Sequence, residues 1–270
     1  MLLTLSARSF DSQMSGPKAK LRLLDLPRIA REELGLHGLT VTTTQLAGWD
    51  GAKVEGLRDR GDKVGCPCLV LIEPEPQRLA DLNDTFAEGA EDRMARVIQA
   101  AHKLGCSSVA MSVHDPGPDV SPEDLSAALK RIVTKAERME LNLLLAPAAG
   151  ITGTPEKLTG FIRKVGGFRI GAFPDFEAAA AAGDPTPYLK TLTPYAAVVC
   201  ASFLAFDASG KHKGYDLDKC VQAVAGVGFD QNLTLEYRGT GDPMAAITRA
   251  RQTVEALVSA EEPTDDDPDE

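Results

Sequence analysis

The chain runs to 270 residues, 43% hydrophobic and 25% charged, a globular balance that excludes a mostly disordered polymer. Its 29 basic and 39 acidic side chains give a net charge of −10, but Glu261–Glu270 alone holds seven acids and no base, so the body is close to neutral and lacks the basic face that a nucleic-acid partner needs. No apolar run approaches the roughly 18 residues of a membrane helix, and the odd count of five cysteines, behind a start without a basic leader, reads as free thiols in the cytoplasm.

Taken in chain order, short apolar runs alternate with longer stretches of helical spacing. Leu2–Ser6 reads as a first strand, followed by strands over Leu39–Thr44, Cys68–Glu73, Ser108–Val113, Asn142–Pro147, Arg169–Phe173, Ala197–Ser202 and Asn232–Tyr237. Most are apolar at successive positions, as in Leu69-Val-Leu-Ile72 and Leu143-Leu-Leu145, the pattern of parallel strands covered on both faces. Between the third and fourth strands, Met94, Val97, Ile98, Ala101 and Leu104 recur at three and four and make one helical stripe. Ser121-Pro122-Glu123-Asp124 sets a capping hydroxyl, a proline and two acids at a helix start, and Thr154-Pro155-Glu156 repeats it. Gly65 and Gly105 end helices just before the next strand. The alanine run Ala178–Ala182 predicts a short helix or loop after the sixth strand, and the tail 261–270, charged and broken by Pro263 and Pro268, predicts disorder.

Eight strand–helix units in about 260 residues predict a single-domain α/β fold, a (β/α)8 TIM barrel over residues 1–260. An open doubly wound sheet is the alternative, but the first turn, Ser6-Ala-Arg-Ser-Phe10, lacks the glycine-rich phosphate loop of that class. In a barrel the chemistry sits where strands run into the following helices. That end carries Arg8, Trp49, Glu73, Glu75, His114, Asp115, Asp175, Glu177, Ser202, Glu236 and Arg238. Two acids at the ends of the sixth and eighth strands would repel if dry, so a cation, Arg238, water or a proton must relieve Asp175 and Glu236.

Several segments together resemble one family. They are Thr152-Gly-Thr-Pro-Glu-Lys-Leu158, Phe168-Arg-Ile-Gly-Ala-Phe-Pro-Asp175-Phe176, Phe206-Asp-Ala-Ser-Gly-Lys211, Tyr215-Asp-Leu-Asp218 and Gly228-Phe-Asp-Gln-Asn-Leu-Thr-Leu-Glu236-Tyr237, with Leu24-Asp-Leu-Pro-Arg-Ile-Ala-Arg-Glu-Glu-Leu-Gly35 as a first helix. Their order resembles the xylose isomerase-like barrels, the sugar phosphate isomerase/epimerase group that also includes endonuclease IV. The resemblance implies a divalent metal held by a Glu ending strand five, an Asp ending strand six, a His ending strand seven and a Glu ending strand eight. It implies as well a carboxylate pair that moves a proton next to a carbonyl. Asp175 and Glu236 match. The glutamate position falls on Ala146 and the histidine position on Cys200.

The metal-ligand set implied is therefore Asp175, Glu236 and Cys200, for Mn, Mg or, with a thiolate, Zn; a Cys inside an apolar strand such as Cys200 is more often plain packing. Glu236 with Glu73 and His114 forms the candidate catalytic group. Glu73 could instead belong to a solvated Pro-punctuated loop, and His114 could simply start a turn. Trp49, Arg238 and Lys211 are the candidate substrate-binding residues, with plain packing or solvation as their alternatives. The expected ligand is a small carbohydrate. The readings to compare are a sugar or sugar-phosphate isomerase/epimerase with a remodelled or lost metal site, a degenerate barrel that binds without turnover, and a DNA-repair enzyme. The 4 histidines and the acidic balance argue against the last. The oligomeric state is left open, with a homo-oligomer compatible.

Overall fold

Strands form where β-branched and leucine-rich runs can be covered on both faces. They are β1 (Leu2–Ser6), β2 (Leu39–Thr42), β3 (Cys68–Ile72), β4 (Ser108–Met111), β5 (Asn142–Leu145), β6 (Ile170–Ala172), β7 (Val198–Phe203) and β8 (Asn232–Tyr237). The computed structural model describes residues 1–16, 19–81, 84–115, 117, 120–207 and 209–261. All strand pairs are parallel, in the order β6-β5-β4-β3-β2-β1-β8-β7. The two ends of that order meet through isolated parallel bridges, Ala172 with Ala196 and Asp175 with Cys200, and the Cys200 N–H donates to the Pro174 carbonyl at 2.9 Å. The sheet thus curls into an α/β barrel of the TIM type, with helices between consecutive strands.

Alternation along each strand divides the side chains into two cores. Outward residues such as Leu71, Val109, Leu143 and Leu233 pack with Leu57, Val97, Leu129, Leu158 and Val221 from the helices. Burial of one such side chain contributes roughly 1.5–3 kcal/mol. A smaller cluster of Val70, Ala110, Leu144, Phe173, Val198 and Cys200 fills the interior on one side. On the other side β8 and β1 present polar groups inward: Thr4 Oγ1 donates to Asn232 Oδ1 and Ser6 Oγ to Glu236 Oε2, each at 2.7 Å.

The helix starts follow their caps. Ser121 Oγ accepts the Asp124 N–H at 3.1 Å and Thr154 Oγ1 the Lys157 N–H at 3.3 Å, opening Pro122–Arg138 and Pro155–Val165. After β6 the alanine run is helical over Phe176–Ala181, and a second helix, Pro185–Leu192, follows from an Asp184 cap. The continuous strands β2, β4 and β5 end two residues short of the predicted ends, at Thr42, Met111 and Leu145, although the Thr43 N–H still donates to the Ile72 carbonyl and Val113 still pairs with Gln77 in an isolated parallel bridge. The last helix, Pro243–Glu261, runs one residue into the predicted tail, and 262–270 lie outside the described residues. Among the described residues no helix is long and apolar enough to cross a membrane.

Candidate functional site

The C-terminal strand ends surround a cavity of about 240 Å3, lined among others by Arg8, Glu73, Ala146, Asp175, Cys200, Glu236 and Arg238. Arg238 stands two residues past Glu236, so β8 delivers both to the same mouth. Its guanidinium donates from Nε to Glu236 Oε1 at 2.7 Å, from Nη2 to Asp175 Oδ2 at 2.6 Å, and from Nη1 to Glu177 Oε2 at 2.6 Å and Asp175 Oδ1 at 3.2 Å. A planar fork suits this work, since one delocalised charge meets three carboxylates at fixed angles. Burial alone would lower the Arg238 pKa, but Asp175 and Glu236 outweigh it and raise it above the ordinary arginine range.

Each carboxylate is also held from behind. Asp175 caps the helix Phe176–Ala181, its Oδ1 accepting the Ala178 N–H at 2.9 Å, and Ser202 Oγ donates to the same oxygen at 3.1 Å. Glu236 is 1% exposed, takes the Ser6 hydroxyl on Oε2, and has Arg8 Nη1 at 3.2 Å from Oε1. Across the mouth Glu73 is 2% exposed, which overturns the solvated-loop alternative for it; Glu75 and Pro76 are the exposed members of that segment. Arg93 Nε and Nη2 each reach Glu73 Oε2 at 2.7 Å, Thr43 Oγ1 donates to that oxygen at 3.2 Å, and Glu73 Oε1 accepts the Glu75 N–H at 3.3 Å.

A divalent cation needs donors converging on one point at about 2.0–2.6 Å. Asp175 and Glu236 converge on the guanidinium of Arg238 instead. Ala146 brings no donor. Burial pushes the Cys200 thiol well above its ordinary pKa, with the Glu236 and Asp175 charges adding to the effect, and its Sγ faces Arg238 Nη2 at 4.0 Å. Among the described residues no three His, Cys, Asp or Glu side chains are arranged to hold a metal. As arranged, this donor set does not fit a divalent ion.

Three other candidates lie outside the cavity. Trp49 is half-buried in a neighbouring cavity of about 510 Å3, with Lys53 Nζ 4.3 Å from its ring centroid. Asp11 lines that cavity too and accepts from Gln45 Nε2 at 2.7 Å; burial raises its pKa, opposed by Gln45 and Arg8 and assisted by Glu236. Lys211 is exposed on the loop after β7, where Asp207 Oδ1 accepts the N–H groups of Ser209 at 2.8 Å and Lys211 at 3.0 Å. His114 is exposed, and its N–H donates to the Gln77 carbonyl beside the β3–β4 junction. Strand-end reasoning singled out Arg8, Glu177 and Ser202 without assigning them work. It missed Arg93, which reaches the mouth from the helix Asp84–Leu104 and not from a strand end.

Solved structures share this architecture at low identity. An L-ribulose 3-epimerase superposes with a TM-score of 0.77 at 14% identity, covering 96% of this chain and 95% of its own. The IolI protein with a bound zinc gives 0.72 at 15%, covering 96% and 99%, and a xylose isomerase-like barrel from Mycobacterium smegmatis in complex with magnesium gives 0.70 at 14%, covering 96% and 97%. At such identities the likeness shows the fold alone. No curated protein sequence matches the chain. The sequence profile of the xylose isomerase-like TIM barrels matches residues 30–259, most of the barrel described above, and the chain belongs to that family.

Proposed function

We propose that the chain binds a small carbohydrate at the barrel mouth and acts on it as a sugar isomerase or epimerase, with arginine supplying the positive charge that a divalent ion would otherwise bring. The observation that carries this reading is the guanidinium of Arg238 joined to Asp175, Glu177 and Glu236 on the wall of the cavity. Moving a proton next to a sugar carbonyl needs a base and a positive group at the developing enediolate oxygen. Glu73 is the base in this reading: it lines the cavity, and among the described residues its Oε1 takes the Glu75 N–H alone, while Arg93 and Thr43 occupy Oε2. Arg8, 44% exposed at its side chain and bonded through Nη1 to Glu236, offers its other N–H groups to the oxygen. Glu236 and Arg238 position that pair and balance its charge. Trp49, in the adjoining cavity with Asp11 and Gln45, is the stacking wall for a longer sugar. His114 and Lys211 stay outside this reading.

Binding without turnover is the second reading. It is favoured by the donors already committed to Glu236: two arginines on Oε1 and a hydroxyl on Oε2. One experiment separates the two. The protein is incubated in D2O with ketoses and ketose phosphates, proton NMR follows deuterium entry next to the carbonyl, and Trp49 fluorescence follows binding. Exchange that Glu73→Gln abolishes while binding persists supports catalysis. Binding without exchange supports the second reading, and the absence of both removes the carbohydrate reading altogether.

A further inference from the structure

Two positions at which the family resemblance implies metal ligands, Asp175 and Glu236, are both bonded to one guanidinium, and a third carboxylate, Glu177, joins them. We infer that Arg238 is a covalently tethered cation standing where an exchangeable divalent ion would sit, so that this mouth keeps its charge balance without a metal. The inference concerns charge at the site that the proposed function uses, but it is read out by ion binding and thermal stability, so it stands or falls apart from any turnover.

Three features argue for replacement over a chance salt bridge. The contact is multiple, with Nε, Nη1 and Nη2 all engaged on carboxylate oxygens. Its two inner carboxylates are largely withdrawn from water, with the Arg238 side chain 28% exposed and those of Asp175 and Glu236 16% and 2%, while Glu177, at 45%, closes the cluster on the solvent side. Last, the carboxylates do not depend on Arg238 for their aim. Asp175 is fixed by the Ala178 N–H and the Ser202 hydroxyl, and Glu236 by the Ser6 hydroxyl. Such supporting donors are what orient the ligands of a metal centre. Here they orient acids toward a guanidinium. Charge counting agrees: three carboxylates face Arg238 and Arg8, a residual of one negative charge. A bound divalent ion with the guanidinium still present would set two cations side by side against the same carboxylates.

The test compares the wild-type chain with Arg238→Ala, Arg238→Lys and the double variant Arg238→Ala/Asp175→Ala by thermal melting and calorimetry, with EDTA, Mn2+ or Zn2+ and no sugar. The wild type should melt at the same temperature in EDTA and in 1 mM Mn2+, and show no saturable heat. Arg238→Ala should melt about 5–10 °C lower and recover much of that loss with Mn2+ or Zn2+, a response the double variant lacks. Arg238→Lys keeps the charge and should remain indifferent to metal. One-to-one binding of either ion to the wild type, or a fall in its melting point with EDTA, overturns the inference even if Arg238→Ala fails to fold. A folded Arg238→Ala chain that takes up no ion overturns it as well.

Discussion

Arg238 and Asp175 meet through a two-point fork, Nη2 to Oδ2 at 2.6 Å and Nη1 to Oδ1 at 3.2 Å, that ties the end of β8 to the end of β6. Neither residue adjoins the other in sequence or in the sheet. Losing the guanidinium leaves Glu236 with the Ser6 hydroxyl and the partly exposed Arg8, and Asp175 with its cap and Ser202. Arg238→Ala is expected to lower unfolding free energy by about 3 kcal/mol in the absence of metal. Arg238→Lys should lose roughly half as much, because an ammonium cannot reproduce the fork. Urea denaturation at pH 7 measures both, and a loss within about 0.5 kcal/mol for Arg238→Ala contradicts the account.

Glu73 and Arg93 form the second charge pair of the mouth. Among the described residues Arg93 is the charged partner at Glu73, and Arg93→Ala leaves the buried carboxylate with the Thr43 hydroxyl and one backbone N–H. The expected loss is about 2 kcal/mol, less than for a fully buried pair because the Arg93 side chain is 44% exposed and screened by water. A double-mutant cycle with Glu73→Gln should return a coupling of about 1 kcal/mol or more, shrinking as salt is added. Additive single effects would show that the pair is not coupled.

Burial pushes the thiols of Cys66, Cys68 and Cys220 up to about 12 from an ordinary 9.0, and that of Cys106 up as well. In the unfolded chain these thiols lose their protons near pH 9, so above that pH the unfolded state binds fewer protons than the folded one. Stability therefore falls as pH rises from 9 toward 12, by about 1.4 kcal/mol per pH unit for each thiol, and these groups leave it unchanged below pH 8. Urea midpoints at pH 8, 9.5 and 10.5 measure the slope, which Cys106→Ala should reduce by one thiol's share. A flat midpoint over that range would be inconsistent with protonated, buried thiols. The same four cysteines should resist alkylation in the folded chain and react on unfolding.

Gly171 sits in β6 where a Cβ would lie 2.4 Å from the Tyr195 carbonyl oxygen, a backbone atom on the far side of the seam. Gly171→Ala should push β6 from the segment leading into β7 and destabilise the chain by about 1–3 kcal/mol. Gly89→Ala, where a Cβ would meet nothing within 4 Å, serves as the control and should hold or raise stability. Equal behaviour of the two variants would mean that the seam can relax at no cost.

The barrel was legible because its signal is repeated. Eight apolar runs spaced by capped helical stretches lead to the same conclusion even where single boundaries slip, as at Thr44 or Pro147. The helix Pro185–Leu192 carried a readable signal, Asp184 followed by Pro185, of the same kind as Ser121-Pro122. The mouth was legible in part. Asp175 and Glu236 follow from strand ends, and their mutual repulsion already pointed to Arg238 as one remedy. That Arg238 also takes Glu177, and that Arg93 reaches Glu73 from a helix, are facts of side-chain reach that no spacing rule contains.

Every junction of the ring is a hydrogen-bonded ladder except that between β6 and β7, which rests on two lone backbone bridges. A hoop with one thin joint parts there first. Backbone amides of Ile170–Ala172 should take up deuterium sooner than those of β1 and β8. Because the Arg238–Asp175 ion pair crosses that joint largely withdrawn from water, added electrolyte should change the exchange little, whereas Arg238→Ala should hasten it.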